Sequence, residues 1–68
     1  MDPATLIRMA NDIARNLAPQ GEAAAIAATA QHIRDFWDPR MRAGILAADR
    51  TALSPIAAAA VAAISPAR

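Results

Sequence analysis

Three side chains of this 68-residue chain could move a proton between them: His32, Asp35 and Asp38 fall close together in one run. His32 is the single histidine, and imidazole is the one side chain that ordinarily titrates near neutrality. Asp35 follows it by one helical turn and could pair with it. The chemistry goes no further. No Cys, nearby Ser or second His stands ready to serve as a nucleophile or a zinc ligand. Gly21 and Gly44 are isolated, so no glycine-rich phosphate loop exists, and no GxGxxG, Walker-type or HExxH pattern occurs. His32 is therefore expected to be structural or interfacial, and Asp38 is better placed as a helix cap than as an acid. The isolated chain is not expected to be an enzyme. No residue is put forward as catalytic, cofactor-binding or metal-binding.

The run Phe36-Trp37-Asp38-Pro39-Arg40-Met41-Arg42 carries more information. It holds the only Phe and the only Trp of the chain, at a helix boundary. One reading is a docking corner, with Trp37 as anchor and Arg40 and Arg42 as forked donors to carboxylates or carbonyls of a partner. Trp and Arg dominate binding hot spots. The other reading is internal: Trp37 plugs the core, Asp38 caps, and Arg40 pairs with Asp38 or Asp35. Both can hold for different residues. The candidate partner interface is Phe36, Trp37, Asp38, Arg40, Met41 and Arg42, with Ile56 at the start of the last helix.

These residues sit on an expected all-α framework of three to four short helices in a small bundle, joined by Asp-Pro and Ser-Pro capped turns. The helices are placed at about 3–17, 22–37, 39–48 and 55–64, within one domain spanning residues 1–68. Asp2-Pro3, Asp38-Pro39 and Ser54-Pro55 each combine an N-cap with a first-turn proline. Leu6, Met9/Ala10, Ile13 and Leu17 recur at helical spacing, with Arg8, Asn11, Asp12 and Arg15 on the other side. Ala18-Pro19-Gln20-Gly21 breaks this helix. In the second helix, Ile26, Ala30, Ile33 and Trp37 form one stripe and Ala25, Thr29, His32 and Phe36 its neighbour, giving a wide buried arc. Met41, Ile45 and Ala48 form the stripe of the third. Gly44 costs about 1 kcal/mol against Ala there, so it marks either the closing turn or the approach of another backbone. Asp49-Arg50-Thr51-Ala52 reads as a loop. The fourth helix has no polar side chain, and three short helices cannot wrap it completely. A partner surface over part of it is expected, unless exposed alanine is simply tolerated. Ser65-Pro66 is expected to end the order.

Composition points the same way. Hydrophobic residues make up 56% of the chain, but 21 of them are Ala and bury little area each. A chain of this length buries only about 60% of its unfolded surface. Without disulfide or metal, a partner surface is the expected further source of stability. All seven basic residues are Arg, and six acidic residues nearly balance them. No basic run or stripe appears, which argues against a nucleic-acid partner. The all-Arg set suits bidentate ion pairs at interfaces, and equally follows from GC-rich coding. No targeting segment or bilayer-length apolar stretch is evident, so no membrane partner is expected and the chain is read as cytoplasmic.

The run from His32 through Arg42, Met9-Ala10-Asn11-Asp12-Ile13-Ala14 in the first helix, and Leu53-Ser54-Pro55-Ile56 before the last resemble the delta subunit of cytoplasmic NAD-dependent formate dehydrogenases. The similarity covers most of the chain, and FWDPRMR is its most specific part. Two stretches depart from the family. Asp49 to Ala52 stands where a Gly-containing turn is usual, and Asn16-Leu17-Ala18 closes the first helix where aromatics often do. The resemblance implies a small accessory subunit of a multisubunit molybdenum or tungsten enzyme. The alpha subunit of such an enzyme carries a bis-pterin metal cofactor and iron–sulfur clusters, and its beta and gamma subunits carry FMN and further clusters. The delta chain itself brings no cofactor, and its implied partner is the large catalytic alpha subunit within the complex. A dissociable maturation factor that aids molybdenum-cofactor insertion is the first alternative. A small helical regulator is the second, although no helix offers the basic recognition face a DNA binder needs.

Overall fold

The computed structural model describes residues 2–65. Its helices begin where a side chain can replace the hydrogen-bond partners that a first turn lacks. In α1 (Pro3–Leu17) the Asp2 carboxylate accepts from the Ala4 N–H at 3.2 Å. In α3 (Pro39–Ala47) Asp38 accepts from the Met41 N–H at 2.8 Å. In α4 (Pro55–Ile64) the Ser54 hydroxyl accepts from the Ala57 N–H at 3.3 Å. Each cap is followed by a proline, whose fixed φ suits the first helical position and whose missing N–H leaves one fewer donor unpaired. Such a cap contributes about 1 kcal/mol relative to Ala.

α2 (Glu22–Phe36) starts differently. Its N-cap, Gly21, has no side chain to offer and stands at φ +101°. A Cβ at this position would meet nothing within 4 Å, so backbone conformation alone selects glycine. The 3₁₀ turn Ala18–Gln20 leads into it, closed by the Gly21 N–H on the Ala18 carbonyl at 3.0 Å. A second 3₁₀ turn, Arg50–Ala52, occupies the segment expected to be a plain loop. Asp49 organises it by accepting from the Thr51 hydroxyl at 2.7 Å and the Thr51 N–H at 2.9 Å. Those two bonds, the hydroxyl first, hold the Asp49 carboxyl below its usual 3.8. This cap is therefore in place above the ordinary carboxylate range and is lost as pH falls through the lowered value.

α1 touches all three other helices, and α4 packs chiefly along α2. The core gathers Leu6, Ala10 and Ala14 of α1, Ile33 of α2, Trp37, Ile45 of α3, Leu53, and Ala57 and Val61 of α4. Gly44 lies inside α3 and not at its closing turn. A Cβ there would come 2.6 Å from Leu6 Cδ1, so the close neighbour is a buried side chain and not another backbone. The α4 face that remains open is largely alanine: Ala62 and Ala63 are exposed, while Ala57, Ala60 and Val61 are buried and Ile56 and Ile64 half-buried. The chain thus covers most of α4 itself. Its radius of gyration, 10.7 Å, matches the roughly 11 Å of a compact chain this long. No helix among the described residues is long and apolar enough to cross a membrane. The stop expected at Ser65-Pro66 lies partly outside the described residues.

One buried polar atom has no partner. Thr29 is fully buried on α2, and its Oγ1 makes no hydrogen bond. An unsatisfied buried hydroxyl costs about 1–3 kcal/mol, and Val has nearly the same shape. Thr29→Val is therefore expected to stabilise the chain by about 1 kcal/mol or more, read as a higher urea midpoint at unchanged slope. Equal or lower stability would show that the hydroxyl is satisfied after all.

Candidate partner interface

α2 ends at Phe36, one residue before the sequence pattern suggests. Trp37 is already extended, at φ −89° and ψ 134°, and closes the helix by donating its N–H to the Ile33 carbonyl at 3.0 Å. Asp38 precedes proline and is extended too, as the proline ring requires of its neighbour. This corner separates the seven candidate interface residues. Trp37 turns inward and is 4% exposed, so it is a core plug and not a surface anchor. Met41 packs partly buried against the same core. Asp38 serves as the α3 cap. Arg42 folds back, donating Nη1–H to the Trp37 carbonyl at 2.6 Å in a partly buried position. Arg40 pairs with neither Asp38 nor Asp35 and has no hydrogen-bond or ion-pair partner among the described residues.

Phe36 takes the opposite direction from Trp37. It is 72% exposed and is the one large hydrophobic side chain so exposed among the described residues. The expected second buried stripe of α2 is therefore cut short: Ala25 and Thr29 are buried, whereas His32 and Phe36 are not. The His32 and Phe36 rings stack on the helix exterior, with centroids 4.8 Å apart and planes tilted by 38°. His32 does not pair with Asp35, whose carboxylate accepts from Gln31 Nε2 at 2.8 Å.

Ile56 lies elsewhere. It lines an open groove of about 720 Å³ with Asn11, Ala14, Arg15, Glu22 and Ser54. Glu22 begins α2 and Phe36 ends it, about 20 Å apart along the helix. Ile56 therefore does not join the Phe36–Arg42 corner. No cluster of three or more His, Cys, Asp or Glu suited to a metal occurs among the described residues.

A residue assigned by pattern to the outer face of α1 does more. Asn11 Nδ2 donates to the Ala52 carbonyl at 3.1 Å, and Asn11 Oδ1 accepts from the Ser54 N–H at 2.8 Å. The two contacts bracket Leu53 and hold it in the core at 8% exposure. No periodicity could reveal this clamp, because it joins positions 41 and 43 residues apart. Arg34 is also used internally: it donates to the Ala63 carbonyl at 3.0 Å, near the C-terminal end of α4.

A family model for the NADH-dependent formate dehydrogenase delta subunit, FdsD, matches residues 5–61. The chain belongs to this family. The match contains both partners of the Asn11 clamp, the buried Trp37 and the exposed Phe36. No curated protein and no solved structure matches the chain. As a delta subunit of a formate dehydrogenase complex, it has partner subunits.

Two substitutions separate folding from surface roles in this delta subunit. Asn11→Ala removes both clamp bonds and is expected to cost about 1–3 kcal/mol in urea denaturation; an unchanged midpoint would rule out the clamp. Trp37→Ala empties the core at its largest side chain, a change worth about 3–5 kcal/mol. A chain this small is expected to lose most of its helical circular dichroism at 25 °C, and retention of a cooperative melt would contradict the plug role.

Proposed function

We propose that the chain is a non-catalytic accessory subunit that binds the large catalytic alpha subunit of a cytoplasmic NAD-dependent formate dehydrogenase and stabilises the complex. The bis-pterin molybdenum or tungsten centre, the iron–sulfur clusters and FMN belong to its partner subunits in this reading. The chain itself supplies only a surface. The observation that carries the reading is Phe36, which stands 72% exposed beside a core that is already closed. Burying such a side chain is worth roughly 1.5–3 kcal/mol, and the fold forgoes that gain unless a partner covers the ring. Arg40, in the first turn of α3, adds an exposed guanidinium without a hydrogen-bond or ion-pair partner among the described residues.

A dissociable maturation factor is the second reading, and one observation favours it. α4 is covered mainly by the chain's own helices, so the open apolar surface is small, whereas permanent interfaces are larger and more apolar. Tagged chain, purified with its bound partners, then sized and analysed for metal, separates the two. Co-elution with large subunits at fixed ratio, together with Mo or W and Fe, is the expected result. Free chain after sizing, with large subunits bound only in crude extract, would favour maturation. Absence of any dehydrogenase subunit at either stage would overturn both.

A further inference from the structure

We draw no further inference here: the strongest candidate, the open groove that Ala14 and Arg15 of α1 line with Glu22 at the start of α2 and Ile56 at the start of α4, is an unpartnered surface, and nothing in the structure shows what covers it.

Discussion

The burial of Trp37 is the constraint from which the rest of this structure follows. It is the largest side chain of an alanine-rich protein, and at 4% exposure it fills the space where the end of α2 meets α1, α3 and α4. Phe36 is the last helical residue and Trp37 already stands in extended backbone, and the two adjacent aromatics take opposite fates, Trp37 buried and Phe36 exposed. The same inward turn leaves the Trp37 carbonyl at the end of α2 without a helical partner, and Arg42 covers it. Asp38 and Pro39 then start α3 immediately, so the corner has no slack in which Phe36 could fold back.

A core in which half of the buried hydrophobic residues are alanine needs close approach to be dense, and close approach leaves no room for error. Leu6 fits against Gly44, where a single added methyl carbon would lie 2.6 Å from its Cδ1. The loss of helix propensity at Gly44 is the cost of bringing α1 and α3 together. Asn11 fixes α1 to the other connection by bonding backbone groups on both sides of Leu53. α1 is thus the hub, held by shape at one point and by directional hydrogen bonds at another.

The all-arginine composition acquires a partial explanation from the helix ends. Arg34 and Arg42 donate to carbonyls at the ends of α4 and α2, where free carbonyls and the helix dipole favour a cation. Arg15 forms an exposed i, i+3 pair with Asp12 at 2.6 Å, a contact worth about 0–1 kcal/mol. With Arg50, which reaches the Ser65 hydroxyl, four of the six arginines among the described residues donate within the chain. The exposed surface that remains distinctive among the described residues is small.

Sequence alone determined the all-helical architecture and the helix starts at Pro3, Pro39 and Pro55, because caps and first-turn prolines act locally through the next few N–H groups. It also carried the family resemblance, later met by the match over residues 5–61. Tertiary structure decided the rest. Phe36 and Trp37 are adjacent, apolar and aromatic, so no pattern of residue types separates the buried one from the exposed one; only the direction from which the other helices pack does. Ile56 was named in the same candidate interface as the corner residues, and the fold puts it in a groove at the other end of α2. Asn11 looked like part of a solvated face until the α3–α4 connection was laid against it. Gly44 could have marked a turn or a backbone approach, and proved to make room for Leu6. Each of these outcomes depends on a contact between segments remote in sequence, whereas helix capping is settled within one turn.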